Sequence, residues 1–211
     1  MKVDPTLTYE EALWEQGSFY VAGIDEAGRG AWAGPVMAGA VILPVDPELP
    51  EMLKGARDSK MMTPAQRESV YDVIAQTAQT WAVGSATHEE IDRIGILNAT
   101  RLAMCRAVEG LTHTPEHLLI DYVYLFGINI PQTNLKHGDM LSLSIACASI
   151  MAKVMRDRWM TENADTAYPE YGFAKHKGYG TAQHSQALED YGPCPIHRMT
   201  FHPISKEPTL F

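Results

Sequence analysis

Residues 23–30 read Gly-Ile-Asp-Glu-Ala-Gly-Arg-Gly, and they constrain this chain more than any other segment. The apolar residues 18–24 predict a strand that ends at two adjacent carboxylates, Asp25 and Glu26. Because side chains alternate along a strand, both acids can serve one site only where the strand gives way to a turn. The glycines of residues 28–30 favour that turn, and the arginine between them offers a planar set of donors for phosphate. Carboxylates for a hard cation beside such a turn indicate metal-assisted phosphodiester chemistry.

Two other interpretations of this segment stay open on its residues alone. An acid pair followed by a glycine-rich turn is also found in an ordinary solvated loop. A dinucleotide-binding turn is a weaker alternative, because Gly34 does not complete the G-x-G-x-x-G spacing. Two carboxylates would also stand where a pyrophosphate needs bare amides. Other parts of the chain have to decide between these interpretations.

Composition limits the class of protein. The 211 residues fit one domain, and 45% hydrophobic with 20% charged residues is typical of a globular enzyme. The longest apolar runs are too short to span a bilayer, and the first residues lack the apolar core of a secretory signal. The 3 cysteines are widely spaced and form no C-x-x-C pair, which suits a reducing compartment. We expect a cytoplasmic protein without membrane contact, and nothing in the sequence requires more than a monomer.

The distribution of charge bears on nucleic-acid binding. A net charge of −9 argues against a protein that coats nucleic acid through bulk charge. Basic residues nevertheless gather in the last third of the chain, at Lys153, Arg156, Arg158, Lys175, Lys177 and Arg198. Such a cluster is most often a solvated face, so local charge has to carry any binding.

The order of predicted elements is that of an α/β domain, with strands alternating with helices. Strands are predicted at residues 19–25, 36–43, 80–87 and 117–121, and helices at residues 64–78, 89–94, 98–108, 144–160 and 182–190. Thr63 before Pro64 is a favourable helix start, as is Thr87 before the next helix. A loop rich in glycine, proline and asparagine connects the strand ending at residue 121 to the helix at 144.

Two further carboxylates lie at the ends of predicted elements. Asp121 ends a short apolar strand, and Asp139 lies just before the helix at residue 144. A single acid at such a position is more often a turn or capping residue. Together with Asp25 and Glu26, however, they form a set of oxygen ligands suited to a hard divalent cation. Two such ions can activate water and stabilise the leaving oxygen of a phosphodiester.

Five ordered groups of residues make the chain resemble the type 2 ribonucleases H, the ribonuclease HII family, almost from end to end. They are residues 23–30 with 33–36; 58–60 with 67–68; 91–92 with 96–100 and 103–104; 138–139, 142, 144–146, 148–150, 152–154 and 156–157; and 171–173, 176–181, 191–193 and 197–198. So many groups in one order make the resemblance specific.

The resemblance implies an α/β, ribonuclease H-like fold, with a central mixed β-sheet flanked by helices and a C-terminal helical segment. It implies one domain over residues 1–211, with a catalytic core at about 18–160 and a segment at about 161–211 that contributes to substrate binding. The implied activity is endonucleolytic hydrolysis of the RNA strand of RNA/DNA hybrids and nicking 5′ of ribonucleotides embedded in duplex DNA. Products would carry 3′-hydroxyl and 5′-phosphate ends. The alternative is a non-catalytic hybrid-binding module on this fold, which would lack one or more acids.

The resemblance also implies roles for individual residues. The catalytic and metal-binding acids are Asp25, Glu26, Asp121 and Asp139, which would hold Mg²⁺ or Mn²⁺, with two ions during catalysis. The turn Gly28, Arg29 and Gly30 corresponds to the reader of the ribose 2′-hydroxyl, and Tyr179 to the tyrosine that packs on the neighbouring sugar. The phosphate contacts expected from position are Ser59, Lys60, Lys153 and Lys177.

Two parts of the chain go beyond that pattern. The family usually has glycine after the third acid, whereas here Asp121 is followed by the bulky residues 122–126, which puts the shape of the site's rim in doubt. The chain also ends in a polar segment closing on Leu210 and Phe211. That ending resembles the short peptides with which bacterial replication proteins bind the sliding clamp, although Glu207 stands where glutamine is usual.

Overall fold

The structure, a computed structural model, describes residues 4–56, residue 59 and residues 62–205. The strands are β1 (Val21–Ala27), β2 (Val36–Ile42), β3 (Thr80–Ala86), β4 (His117–Asp121) and β5 (Gln132–Leu135). The α-helices are α1 (Thr8–Trp14), α2 (Leu49–Met52), α3 (Pro64–Thr77), α4 (His88–Ile94), α5 (Ile96–Glu109), α6 (Leu143–Trp159), α7 (Asp165–Ala167), α8 (Phe173–His176) and α9 (Ala182–Tyr191). Short 3₁₀ turns cover Gly138–Met140 and Pro169–Tyr171, and a π-helical turn covers Met160–Ala164.

Within the described residues, five strands form one mixed sheet in the order β3-β2-β1-β4-β5. The pairs β1–β2 and β2–β3 are antiparallel, whereas β1–β4 and β4–β5 are parallel. The predicted mixed sheet with flanking helices is therefore confirmed. The sequence prediction missed α1 and β5. Strand β5 was missed because it is a short polar edge strand, Gln-Thr-Asn-Leu, without an apolar alternation.

The helix starts predicted from capping residues are confirmed. The side chain of Thr63 accepts a hydrogen bond from the backbone N–H of Gln66, and the side chain of Gln66 accepts one from Thr63. Thr87 and Glu90 make the same reciprocal pair at α4. Such capping boxes satisfy backbone donors that the first helical turn leaves unpaired. Helix α3 begins at the predicted Pro64, and α4 begins at His88, one residue before the predicted start.

The register of the two central parallel strands places the carboxylates. Ile24 of β1 pairs with Ile120 of β4, so Asp25 and Asp121 follow side by side at the carboxyl ends of neighbouring strands. Both isoleucines are buried in the apolar cluster that includes α5. Because side chains alternate, the two aspartates face the opposite side of the sheet, where α6 packs.

Helix α6 lies unusually close to the sheet. A Cβ at Gly23 of β1 would lie 2.2 Å from the backbone carbon of Ser144, and one at Gly39 of β2 would lie 2.3 Å from the carbonyl oxygen of Ala148. Only glycine permits such an approach of strand and helix backbones. The contact positions the start of α6, and the residues further along it, directly against the carboxyl ends of β1 and β4.

The C-terminal segment packs on the loop that follows β1. Its own apolar cluster surrounds Phe173 and includes Met160 and Ala33. Backbone hydrogen bonds join Trp32 N–H to the Gly178 carbonyl at 2.8 Å and Arg198 N–H to the Trp32 carbonyl at 2.8 Å. This segment therefore forms one wall beside the turn at residues 28–30.

Candidate active site

The four predicted acids lie at one edge of the sheet. Asp25 and Glu26 belong to the last part of β1, Asp121 ends β4, and Asp139 lies in the 3₁₀ turn that precedes α6. The backbone N–H of Gly138 donates a 2.8 Å hydrogen bond to the carboxylate of Asp121. Because Asp139 is the next residue, this bond fixes the turn that carries Asp139 against the end of β4.

Electrostatic repulsion is concentrated at Asp25. Burial raises the pKa of Asp25 well above its usual value, and the nearby charges of Glu26 and Asp121 raise it further. A hydrogen bond from the side chain of Ser149 and one from the backbone N–H of Glu26 (2.7 Å) act in the opposite direction. The net effect favours the protonated form of Asp25, and a nearby cation would favour its ionised form.

The carboxylate donor set suits a hard divalent cation. Among the residues that the structure describes, no three His, Cys, Asp or Glu side chains stand together at metal-holding distance. Mg²⁺ is commonly held by only one or two carboxylates together with water and substrate phosphate. The buried Asp25, with its raised pKa and its acidic neighbours, is the position at which a cation would relieve the most repulsion.

Arg29 bends back toward the acid pair. Its guanidinium lies 3.1 Å from the carboxylate of Glu26, and its side chain is 39% exposed. The positive charge therefore sits between the acids and the solvent-facing turn at residues 28–30. From this position the guanidinium of Arg29 can bind an anionic group that approaches the acids and the turn together.

Two fully buried arginines, Arg198 and Arg156, hold the backbone of the turn and of the loop that follows it. The guanidinium of Arg198 donates hydrogen bonds to three carbonyl oxygens, at Gly28 (2.8 Å), Arg29 (2.8 Å) and Gly34 (3.0 Å). Burial lowers the pKa of Arg198 because the charged form loses its hydration. The three carbonyl dipoles replace that hydration and, in return, fix the path of the turn.

Arg156 joins the same loop to the segment that carries Tyr179. It donates to the carbonyl oxygens of Pro35 (2.9 Å), Ala33 (3.2 Å) and Lys177 (3.0 Å). Gly28 has φ = 94°, and a Cβ there would lie 2.0 Å from the guanidinium of Arg156. Glycine is therefore required at residue 28 by its backbone conformation and by this close contact.

A cavity of about 310 Å³ opens between the turn and Tyr179. Its lining residues are Glu26, Ala27, Gly28, Arg29, Gly30, Ser59, Lys153 and Tyr179. The predicted reader turn, the predicted sugar-contacting tyrosine and one of the predicted acids thus surround one space. Positions from four separate parts of the sequence meet there.

Of the predicted phosphate contacts, Ser59 and Lys153 lie at this cavity. Ser59 is buried, and its hydroxyl is 3.0 Å from that of Ser149, the residue that donates to Asp25. Lys153 pairs with Asp157 at 2.6 Å, and its ammonium lies 5.5 Å from the ring centre of Tyr179. Burial lowers the pKa of Lys153, an effect that Asp157 opposes.

Lys177 and Lys60 are placed differently. Lys177 lines a neighbouring groove of about 560 Å³, which also contains Lys153 and Tyr179. Its ammonium donates to the hydroxyl of Thr161 at 2.8 Å and to the carbonyl of Ala174. Lys60 lies outside the described residues.

Three buried histidines support the loop that carries Tyr179. His184 Nδ1 is 3.1 Å from the carbonyl oxygen of Tyr179, and His184 Nε2 is 2.9 Å from His197 Nε2. His176 accepts from the N–H of Gly178 and contacts the carbonyl of Tyr171. Because a carbonyl only accepts, His184 carries its proton on Nδ1 and accepts from His197, so the network is satisfied with neutral rings. Burial accordingly lowers the pKa of His184 to about 4.

Glu10 is a functional candidate that sequence reasoning missed. This buried carboxylate of α1 accepts from the hydroxyl of Ser142 (2.6 Å) and from the N–H (2.9 Å) and hydroxyl (2.6 Å) of Ser144. It thereby fixes the start of α6, four residues after Asp139. No local pattern marks it, because Glu10 lies among several other acids near the amino terminus. Arg156 and Arg198 were counted as basic residues, and only the structure shows their backbone contacts.

The sheet is mixed, carboxylates lie at the ends of its adjoining strands, and a further acid precedes the helix that packs on them. Together these features define a nuclease of the ribonuclease H class. Comparisons with known proteins agree. The profile of the family described as ribonuclease HII matches residues 22–204. The chain is 55% identical to ribonuclease HII of Roseiflexus castenholzii over 201 residues, which is 95% of this chain and 89% of that protein.

Solved structures show the same fold. Ribonuclease H2 from Pyrococcus horikoshii superposes with a TM-score of 0.72 at 27% identity, covering 87% of this chain and 94% of that one. The PCNA:RNase HII complex from Archaeoglobus fulgidus gives a TM-score of 0.72 at 23% identity, covering 90% and 98%.

The chain belongs to the ribonuclease HII family. It is therefore a ribonuclease H enzyme that acts on nucleic acid, which rules out the non-catalytic module. Every helix among the described residues is too short or too polar to cross a membrane.

Proposed function

We propose that this enzyme hydrolyses the RNA strand of RNA/DNA hybrids and nicks duplex DNA 5′ of single embedded ribonucleotides, leaving 3′-hydroxyl and 5′-phosphate ends. The observation that carries the proposal is the 310 Å³ cavity, which joins the Gly28–Gly30 turn and Tyr179 to Glu26 of the acid pair. One nucleotide seated there would present its sugar to the turn and its phosphate to the acids.

Recognition of ribose is assigned to the turn of Gly28, Arg29 and Gly30, with Tyr179 packing on the neighbouring sugar. The 2′-hydroxyl is the group that distinguishes RNA from DNA at one position. The backbone of the turn, held in place by Arg198, offers fixed polar groups to that hydroxyl. A fixed turn discriminates better than a mobile one, since the backbone does not adapt to a sugar that lacks the hydroxyl.

The acids Asp25, Glu26, Asp121 and Asp139 would hold two divalent cations, Mg²⁺ or Mn²⁺. When bound, such ions lower the pKa of a water and stabilise the leaving oxygen of the phosphodiester. The chain's own contribution is to set the carboxylates at the edge of a rigid sheet. The hydrogen bonds from Ser149 and from Gly138 N–H orient Asp25 and Asp121.

Contacts to the phosphates of the duplex are assigned to Ser59, Lys60, Lys153 and Lys177. Lys153 borders both the cavity and the adjoining groove, and Lys177 borders the groove, so a strand that leaves the cavity through the groove would run past both lysines. Such contacts position the duplex and carry no sequence information. Lys153 would exchange Asp157 for phosphate, or bridge the two.

The remaining assignments concern organisation and partners. We treat residues 1–211 as one domain that acts as a monomer, with a core at about 18–160 and a segment at about 161–211 that helps to bind substrate. The Archaeoglobus relative's complex with PCNA supports a sliding-clamp contact through Leu210 and Phe211, which lie outside the described residues. A synthetic peptide of residues 204–211 should bind the clamp; no affinity at high micromolar concentration would rule the contact out.

The test of the main proposal uses three end-labelled substrates: an RNA/DNA hybrid, a DNA duplex with one ribonucleotide, and the matched all-DNA duplex. The enzyme should cut the first two with Mg²⁺ or Mn²⁺, leave the third intact, and stop when a chelator is added. Mapping of the product should place the nick 5′ of the ribonucleotide. A ribonucleotide-containing duplex that stays intact, or an all-DNA duplex that is cut equally, would overturn the proposal.

A further inference from the structure

The segment after Asp121 exposes three aromatic side chains in a row. Tyr122 is 67% exposed, Tyr124 50% and Phe126 68%, whereas the intervening Val123 and Leu125 are buried in the core. We call Tyr122, Tyr124 and Phe126 the aromatic ridge. Alternation of this kind anchors every second residue and leaves the others pointing to solvent, although the segment is not a strand.

The backbone of the aromatic ridge is firmly held. The side-chain amide of Gln132 exchanges two hydrogen bonds with the backbone of Leu125, at 3.0 and 2.8 Å. The side chain of Asn134 donates to the carbonyl of Val123, and Arg101 donates to that of Tyr124 at 3.0 Å. The exposed rings are thus presented by a fixed backbone rather than by a loose loop.

Tyr122 occupies an unfavourable backbone conformation. Its φ is +61°, in the left-handed region that bulky residues rarely adopt. Glycine would fit there without strain. A large ring retained in a strained and exposed position, next to an active-site acid, indicates that the ring contacts something.

A cation accompanies the aromatic ridge. The guanidinium of Arg101 lies 4.7 Å from the ring centre of Phe126 and donates to the side-chain oxygen of Asn98 at 3.0 Å. Within the described residues, no acidic side chain forms an ion pair with Arg101. In a chain with a net charge of −9, aromatic rings beside a cation without an acidic partner suit a polyanion.

Position decides between nucleic acid and a protein partner. Phe126 is the fifth residue after Asp121, so the aromatic ridge lies within about 18 Å of that acid along the chain. This distance corresponds to about five base pairs at 3.4 Å each. A duplex bound at Asp121 extends over such a length, whereas a protein covering Tyr122 would lie against Asp121 and compete with the substrate.

We propose that the aromatic ridge is a second contact surface for the nucleic-acid substrate, packing its rings on sugars and bases of the strand that flanks the cut, with Arg101 near the phosphates. Aromatic rings bind such apolar faces with little dependence on sequence. The inference rests on the proposed function of the site, and it adds a contact surface outside the cavity at the Gly28–Gly30 turn.

The test measures binding of a DNA duplex with one ribonucleotide at several salt concentrations, in an Asp25→Asn background that prevents cleavage. The triple variant Tyr122→Ala, Tyr124→Ala, Phe126→Ala should weaken binding by at least about fivefold. The slope of log affinity against log salt should not change, because no phosphate contact is lost. Arg101→Gln should instead reduce that slope by about one.

Two further variants keep the test independent of folding. Phe19 is 53% exposed and lies before β1, at the opposite end of the sheet, so Phe19→Ala is the matched control and should bind normally. Tyr122→Gly removes the ring and also relieves the positive φ, so it should raise the melting temperature while it weakens binding. A merely structural role for the ring would move both quantities in one direction.

Each outcome decides one question. The inference would be overturned if the triple variant bound the duplex as tightly as its parent at every salt concentration. It would also be overturned if the triple variant lost its binding to a protein but kept its binding to the duplex. If the parent with an intact aromatic ridge does not bind the duplex, and the unaltered enzyme does not nick it, the proposed function itself is wrong. The two failures are therefore distinguishable.

Discussion

Two neighbouring regions of the molecule are stabilised in opposite ways. One is the acid edge, formed by Asp25, Glu26, Asp121 and Asp139. The other is the pocket, the cavity between the turn at residues 28–30 and Tyr179. At the acid edge, burial and the charges of Glu26 and Asp121 raise the pKa of Asp25, so repulsion remains in the folded chain. Beside the pocket, each buried guanidinium of Arg156 and Arg198 donates to three carbonyl oxygens. These donors and acceptors are paired within the chain, whereas at the acid edge an added cation would relieve the repulsion.

This difference assigns separate tasks to the two regions. A preformed pocket can test the sugar without reorganising, because the polar groups that hold it are already satisfied. Repulsion between the carboxylates of the acid edge lowers the stability of the folded chain, and the same charges would attract cations. Substitutions in the two regions should therefore separate activity from stability.

The largest effect is expected at the acid edge. Asp25→Asn should lower the rate of cleavage by about a thousandfold or more, since it removes a predicted metal ligand. Without divalent cations, its melting temperature should be unchanged or higher, because a repelling charge is gone. Calorimetry and a single-turnover cleavage assay measure the two quantities. Glu15→Gln, at an exposed acid of the amino-terminal region, is the control and should change neither. Cleavage by Asp25→Asn at the unaltered rate would contradict the assignment.

Beside the pocket, by contrast, we expect a substitution to lower the stability of the folded chain. Arg198→Met removes the side-chain donor of three carbonyl oxygens, two of them in buried hydrogen bonds, so the free energy of unfolding should fall by about 3 kcal/mol. Urea denaturation measures this loss. Arg93→Met, at an exposed arginine of α4, should stay within about 0.5 kcal/mol of the unaltered chain. Equal stability of the two variants would show that the buried guanidinium does not hold the loop.

Acid should also weaken the pocket through its histidines. Burial lowers the folded-state pKa of His184 from 6.5 to about 4 and also lowers that of His176 and His197. As pH falls below 6.5, the unfolded chain takes up protons that the folded chain refuses, so stability falls between about pH 6.5 and 4. The loss is at most about 1.4 kcal/mol per pH unit for each histidine.

Denaturation at a series of pH values checks this prediction. His184→Gln should lose part of the slope, and His113→Gln, outside the cluster, should retain it. A slope unchanged by His184→Gln would contradict the role of the network. The acid edge contributes with the opposite sign, since the raised pKa of Asp25 lets the folded chain bind a proton earlier than the unfolded chain.

The same contrast explains what the sequence could predict. Asp25, Asp121 and the strands that carry them are readable, because apolar periodicity and a terminal acid are local patterns. The sites of Arg156, Arg198 and Glu10 are not, because nearly all of their partners are backbone groups or serines more than a hundred residues away. Strand β5 escaped prediction because its pairing with β4, rather than its composition, makes it a strand.

The smallest effect is expected at Tyr179, where the two regions meet. Its ring lies 5.2 Å from the guanidinium of Arg156 and faces the turn across the cavity, so it can select a sugar without touching a metal ligand. Tyr179→Ala should lower kcat/KM at a lone ribonucleotide by about tenfold, because a packing surface for the sugar is lost. Tyr179→Phe, which keeps the ring, is the matched control and should retain most of that activity. The concentration of Mg²⁺ giving half-maximal rate should be the same in all three enzymes. An equal change in cation requirement and in kcat/KM would show that the pocket and the acid edge are not separate, because the loss of one ring would then have disturbed the carboxylates as well.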